Sequence, residues 1–531
     1  MKPPTRDSAW TLSRCRVAAV VAFFALNLAV YLIRIISVWR YGALFCSTAV
    51  ESPMIDSVWR CMRHQPVYQW PFAFPFSLSL YNYLFYYVYA FVLRLMGAWD
   101  AGILTWGRQL TLLFALAGAL AQWRLVRSLL NLRGAASTLS LCLSMGLWLC
   151  TSLVKYWALT IRPDMAAAAL VMIALWVVVR QSRFCFAWAG LLLYLAWAFK
   201  QSTVLAFAGL CLWLLLNKRW RNLTLLLAVF ATLIAATLLL GSPEYRFSIL
   251  VAPQMVRGFA FSLPWILRAL GTGLTSVGLN LYWVAAPFVL LCASKSPGAP
   301  FFSPGASHSS CAPSIPRLLE EKTRNGWESM LLTVFSLALF VGLAAMGKVG
   351  GTSNYLFEAF AAGSTLLQIA VFSVPARLVT ALLLFGCIQP AVQLAGVAIG
   401  YHHPGRKDMV PIATAAEYRD AVALRARLAA MKKPIFTTDG VFALPWNSTG
   451  NNAPAIVLDP NFQEVARSRE QNGGVEGMLN RSEFPTVMLA SSDLVYLKSL
   501  NPAYRKIGDS IQQGVTYSIY EFSAAPPATL Y

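Results

Sequence analysis

The chain has 531 residues, of which 58% are hydrophobic and 12% charged, with a mean hydropathy of +0.58. A soluble protein carries about 25% charged residues, so this composition excludes a water-soluble globular protein and indicates a polytopic membrane protein. The formal net charge of +21 comes from Lys and Arg in short clusters between apolar runs; that is the positive-inside pattern, and it calls for no nucleic-acid partner.

Residues 1–15 form a basic stretch that runs into "VAAVVAFFALNLAVYLIRIISVW" without a small-residue cleavage site. This predicts a cytoplasmic N-terminus and a retained first helix rather than a removed signal peptide. A hydrocarbon core of ~30 Å needs roughly 17–25 apolar residues. Runs of that kind predict spans at 16–38, 104–123, 136–154, 163–180, 184–200, 201–217, 222–241, 276–294, 330–347, 357–375 and 378–400. The pair 184–200 and 201–217 leaves almost no room for a loop, so broken helices are an alternative there.

The aromatic segment "FPFSLSLYNYLFYYVYAFVLRLMG", residues 74–97, is ambiguous, because Tyr and Trp favour the water–lipid boundary. If it does not cross, the clusters at Arg124/Arg127/Arg133, Arg180/Arg183, Lys218/Arg219/Arg221, Lys295 to Arg324, and Arg377 all share the side of the basic N-terminus. If it crosses, they all move outside. The first option predicts eleven spans, an outer loop over 39–103 with an interfacial helix, and a C-terminal domain outside. It also predicts a second outer loop over 242–275, with "PQMVRGFAFSLPWILRAL" lying in the interface, and a flexible inner loop over 295–328 rich in Ser, Pro and Gly. From about 401 to 531, helical and strand-like segments alternate ("AAEYRDAVALRARLAAMKK", "KPIFTTDG", "APAIVLD", "PTVMLAS"). This indicates a small α/β domain.

With the sides fixed this way, polar residues collect at the outer ends of spans. Glu51 and Asp56 follow the first span, flanked by Cys46 and Cys61, for which a disulfide and two free thiols are both open. Lys155, Arg162 and Asp164 precede the span at 163; Lys200, Gln201 and Ser202 stand at one outer turn; Lys348, Asn354, Tyr355 and Glu358 precede the span at 357. Ionisable groups at membrane depth are costly and face a cavity rather than lipid. Cations suit a phosphate, and a carboxylate suits a general base. Each also has an ordinary reading: solvated loop acids for Glu51 and Asp56, a helix cap for Arg162-Pro163-Asp164, snorkelling for Lys200, a first-turn acid for Glu358, interfacial anchors for the tyrosines of 81–89. The four histidines show no metal-ligand spacing, and no Gly-rich phosphate loop, CxxC pair or nucleophile elbow is present.

An acid after the first span, then "WRCMRHQPVY" and an aromatic helix ending in "RLMG", resembles the first outer loop of GT-C glycosyltransferases. The branch it is similar to is the bacterial one related to protein O-mannosyltransferases and the lipid A aminoarabinose transferase. "RPDMAAAAL", "LAWAFKQST" and "GGTSNYLFE" resemble that branch in the same order. The resemblance implies a polytopic α-helical membrane protein of GT-C type, with about eleven spans and outer interfacial helices, followed by a small α/β outer domain. It implies inverting transfer of a sugar from a polyprenyl-phosphate donor to a glycan, lipid or protein acceptor at the outer face of a bacterial inner membrane. Glu51 then falls on the second position of the family's Asp-Glu pair and becomes the catalytic base, with Asp56 as fallback. The first position is Val50, a departure that leaves a divalent metal unsupported. By the same resemblance Arg162, Lys200 and Lys155 hold the donor phosphate, Asp164 orients them, Asn354, Tyr355 and Glu358 line the sugar or carrier pocket, and helix 74–97 admits the polyprenyl chain. A transporter or flippase of a lipid-linked or small anionic solute is the rival. Such proteins place charges near the midplane and show repeated halves, whereas here the charges gather at one face and no repeat is visible.

Overall fold

The computed structural model describes residues 6–46, 51–73, 78–151, 153–255, 267, 271, 278, 280–294, 315–346, 353–374, 376–399, 413–444, 471–512 and 515–523. The protein is an apolar α-helical bundle followed by a small mixed-sheet domain. In chain order the main helices are α1 (Arg6–Tyr41), α2 (Glu51–Met62), α3 (Tyr83–Leu95), α4 (Ala101–Leu130), α5 (Gly134–Cys150), α6 (Asp164–Val179), α7 (Cys185–Phe199), α8 (Leu205–Leu216) and α9 (Trp220–Leu240). After them come α10 (Ala286–Ser294), α11 (Ile315–Met346), α12 (Phe357–Ser373), α13 (Ala376–Ala398) and α14 (Ala415–Ala429).

Among the described residues six helices are long and apolar enough, by length and composition, to cross a membrane: Arg14–Leu44, Ala101–Leu130, Trp220–Leu240, Gly326–Met346, Asn354–Ser373 and Arg377–Ala398. Shorter apolar helices (Gly134–Leu149, Asp164–Val179, Cys185–Phe199, Leu205–Leu216 and Leu281–Leu291) stand at the other expected spans. The chain is a multi-pass membrane protein. Helix α3 spans thirteen residues, ~20 Å at 1.5 Å per residue. It buries Phe85, Tyr86, Tyr89 and Leu93 on one side and exposes Tyr87, Phe91 and Leu95 on the other.

Two expectations need correcting. The span read over 201–217 is helical only from Leu205 to Leu216, ~18 Å long. The helix before it ends at Lys200, whose backbone is extended, because Lys200 and Gln201 spend their side chains on Asp164 and on the Leu80 carbonyl. The inner loop is also shorter than read, since residues 315–328 belong to α11; 295–314 lie outside the described residues. Most of the interfacial helix expected in 242–275 also lies outside them.

Helix α12 is the bundle's axis. Nearly all its residues are buried, whereas α9 buries only Leu226 and Phe230 and turns the rest outward. A satisfied polar network binds α12 to α4 and α5. Gln122 donates to Ser364 (2.5 Å), Gln368 donates to Gln122 (3.0 Å) and Ser144 (2.7 Å), and the Trp148 indole donates to Gln122 (3.1 Å). Trp148 is fully buried and lies flat against Gly118 of α4. A methyl group at Gly118 would enter that ring. Gly118→Ala is therefore expected to destabilise the bundle by about 1–3 kcal/mol, the usual cost of overpacking, read as an earlier thermal unfolding midpoint in detergent.

The C-terminal domain opens with α14, capped by the box that "TAAE" encodes: Thr414 accepts the Glu417 N–H (3.2 Å) and Glu417 accepts the Thr414 N–H (2.7 Å). Its strands β1 (Ile435–Thr437), β2 (Thr486–Ala490), β3 (Tyr504–Gln512) and β4 (Val515–Phe522) form one sheet in the order β1-β2-β4-β3. β1 and β2 pair in parallel and the other neighbours antiparallel. β1 and β2 are the strands expected from "KPIFTTDG" and "PTVMLAS"; "APAIVLD" lies outside the described residues. The β3–β4 hairpin was not anticipated. "YRKIGDSIQ" carries no apolar alternation because β3 is an edge strand, exposed along most of its length. Leu44 and Phe45, just past α1, are buried against Leu424, Leu428, Phe442, Met488 and Ile519, which seats this domain on the bundle.

Candidate active site

The turn between α5 and α6, the turn between α7 and α8, and the start of α12 meet in one pocket. Its lining includes Asp164, Lys200, Thr203, Asn354, Tyr355 and Glu358. Asp164 is the first residue of α6. Its side chain is the hub of the cluster. Oδ1 accepts Lys200 Nζ at 2.6 Å and Asn354 Nδ2 at 3.0 Å, and Oδ2 accepts Arg162 Nε at 3.1 Å. Pro163 and Asp164 open α6 as the helix-start reading expected, and Asp164 is at the same time the centre of a buried ion network. All three charged groups are under a tenth exposed, so each depends on the others for its charge.

Arg162 is further sandwiched by aromatics. Its guanidinium lies 4.3 Å from the Trp157 ring centroid and 5.5 Å from that of Tyr81, and it donates to the Tyr81 hydroxyl. Lys200 Nζ lies 5.6 Å from the Tyr355 ring. Gln201 faces away, donating to the Leu80 carbonyl at 2.7 Å, and so ties this turn to the approach of α3. Glu358 differs from the other acids. It accepts the Ala206 N–H at 2.7 Å, at the first turn of α8, and among the described residues it forms no ion pair. A helix N-terminus offers a carboxylate partial positive charge without neutralising it.

The two acids expected to do the chemistry lie elsewhere. Glu51 is fully buried in a bidentate pair with Arg108 of α4 (Nε–Oε1 3.0 Å, Nη2–Oε2 2.8 Å), and its Oε1 also accepts the Ile161 N–H at 2.9 Å. It does not line the pocket. Asp56 pairs with Arg60 one turn on, at 2.8 Å; burial pushes its carboxyl above the ordinary range against the pull of that arginine. The Lys155 side chain and Lys348 lie outside the described residues. No disulfide joins Cys46 and Cys61.

Sequence reasoning missed Arg108 and Trp157, and it read Tyr81 as an interfacial anchor rather than a partner of Arg162. For Arg108 a signal existed: a lone arginine inside the apolar run "GILTWGRQLTLLFALAGAL" is an intramembrane charge in need of a partner. A divalent metal does not fit this pocket. Asp164 already accepts from two cations and an amide, and among the described residues no group of three or more His, Cys, Asp or Glu side chains gathers.

No family model matches the chain, and no curated protein matches it. Among solved structures, an oligosaccharyltransferase from Archaeoglobus fulgidus, in complex with Zn and sulfate, is 12% identical. The match covers 88% of this chain and 68% of that one, with a TM-score of 0.47. ArnT from Cupriavidus metallidurans in the apo state is 12% identical, with 96% and 99% covered and a TM-score of 0.47. The archaeal oligosaccharyltransferase AglB from A. fulgidus, in complex with an inhibitory peptide and a dolichol-phosphate, is 13% identical, with 97% and 75% covered and a TM-score of 0.46. Likeness of this degree assigns neither substrate nor chemistry.

Proposed function

We propose that the protein is an inverting glycosyltransferase that moves a sugar from a polyprenyl-phosphate donor to a hydroxyl acceptor at the outer face of a bacterial inner membrane. Its N-terminus is inside and its C-terminal domain outside. The observation that carries this reading is the pocket itself: Asp164, Lys200, Asn354, Tyr355 and Glu358, the last a carboxylate with no ion pair among the described residues, converge inside an apolar bundle from segments nearly two hundred residues apart, with Arg162 joined to them through Asp164. Cations there suit a lipid-linked phosphate, and a nearby carboxylate suits deprotonation of an attacking hydroxyl.

In this mechanism Lys200 faces the donor phosphate, Asp164 holds it there and joins it to Arg162 behind, and Tyr355 and Asn354 border the sugar. Glu358 takes the proton of the acceptor hydroxyl. The acceptor oxygen bonds to the anomeric carbon as the bond from that carbon to the phosphate oxygen breaks. The phosphate leaves with the electron pair, its growing charge met by Lys200 and Arg162. Glu358 thereby takes the role the sequence resemblance implied for Glu51, because Glu51 is occupied by Arg108.

The test is transfer by purified protein in lipid nanodiscs supplied with labelled polyprenyl-phosphate sugars. Lys200→Met removes a charge-assisted bond, a loss of about 1.5–3 kcal/mol. The donor KM is therefore expected to rise roughly ten- to hundredfold. If no sugar is transferred, and proteoliposomes instead show solute exchange that Lys200→Met abolishes, the transporter reading replaces this one.

A further inference from the structure

We propose that Arg108 is a positioning residue for this pocket: acting through Glu51, it fixes the turn that carries Arg162 and Asp164. The proposal rests on the reading of the pocket as a phosphate site for its kinetic consequences, and on geometry alone for its structural ones.

The Arg108 guanidinium is fully buried and its donors are spent on three residues of two segments. Nε and Nη2 grip both oxygens of Glu51, Nη1 donates to the Gly42 carbonyl at 2.9 Å, and Nη2 also donates to the Phe45 carbonyl at 2.5 Å. Glu51 passes the constraint on, since its Oε1 accepts the N–H of Ile161, the residue before Arg162. The end of α1, the start of α2, the middle of α4 and the turn entering α6 are thus joined through one guanidinium–carboxylate pair. Two bonds from a planar fork fix direction as well as distance. The same knot reaches the C-terminal domain, because Phe45, whose carbonyl Arg108 holds, is buried with Leu44 against that domain. Gly42 is part of the device: a Cβ there would stand 2.7 Å from Arg108 Nη1.

A carboxylate committed in this way orients the pocket rather than reacting in it, and the two roles separate experimentally. Full-length protein carrying Arg108→Met, Arg108→Lys, Glu51→Gln or the double change Arg108→Met/Glu51→Leu is compared with the parent. The readouts are donor KM, kcat, the Kd of a short-chain polyprenyl phosphate, and amide hydrogen exchange over 160–164. Arg108→Met and Glu51→Gln are each expected to raise donor KM and probe Kd at least tenfold while kcat changes less. Exchange at Ile161 and Arg162 should speed up in both. The double variant should be no worse than the worse single, because both changes disable one device. Arg108→Lys, which keeps the charge but not the fork, should recover little.

A kcat loss of a hundredfold or more in Glu51→Gln, with KM and exchange unchanged, would make Glu51 the base and overturn the proposal. Unchanged exchange and unchanged Kd in Arg108→Met would overturn it as well. Should Arg108→Met fail to fold, Gly42→Ala displaces the guanidinium without uncovering a charge. It is expected to give the same exchange signature at Ile161 and Arg162, and its failure to do so counts against the proposal equally. If the parent protein neither binds the probe nor transfers sugar, the pocket's proposed function falls, while the exchange experiment still decides whether Arg108 fixes the turn.

Discussion

Replacing Glu358 by glutamine is expected to lower kcat for sugar transfer by about a hundred- to ten-thousandfold, the usual contribution of a positioned general base. The substitution is close to isosteric. The amide oxygen of glutamine can still accept the Ala206 N–H that now holds the carboxylate at 2.7 Å, so the junction of α8 with α12 should persist. What disappears is the capacity to take a proton. The Kd of a polyprenyl phosphate probe should stay within a few-fold of the parent value, because Lys200 and Arg162 are untouched, and thermal unfolding should shift little. Transfer at the parental rate by a folded Glu358→Gln protein would remove Glu358 from the chemistry.

The second large effect concerns Asp164. Its two oxygens serve Lys200, Arg162 and Asn354 inside the bundle. Asp164→Asn leaves two buried cations without their counter-charge. Breaking a buried pair from one side costs about 3–5 kcal/mol, mostly the penalty of the uncompensated charge. The expected result is a protein that unfolds much earlier in a detergent melt and transfers no sugar. Adding Lys200→Met removes one of the stranded charges, so the double variant should regain much of the stability while remaining inactive. A single Asp164→Asn variant with parental stability would show that the network is looser than its distances indicate.

Much of the architecture was legible because hydropathy reports burial directly. Runs such as "LTLLLAVFATLIAATLLL" can satisfy their backbone in lipid only as helices, and the structure makes them so. The charge clusters favour an arrangement in which 74–97 does not cross, and within that segment the structure forms a thirteen-residue helix, Tyr83–Leu95. The capping box of α14 could be read from "TAAE". The β3–β4 hairpin could not, since an edge strand exposed to water on both faces leaves no periodic trace.

The site divides along the same line. Sequence alone determined that this is a membrane-embedded helical protein with a separate C-terminal domain, and that Asp164, Lys200, Asn354, Tyr355 and Glu358 stand at the ends of spans, because the energetic cost of polar groups near lipid makes their positions conspicuous. Only the tertiary structure decided which of them meet. Arg108 and Glu51 are fifty-seven positions apart and close on each other through helix packing, while Asp164 meets Lys200 and Asn354 by the crossing of three segments. Hydropathy records that a charge is buried but not who compensates it, and at this site the partner decides whether a carboxylate reacts or holds.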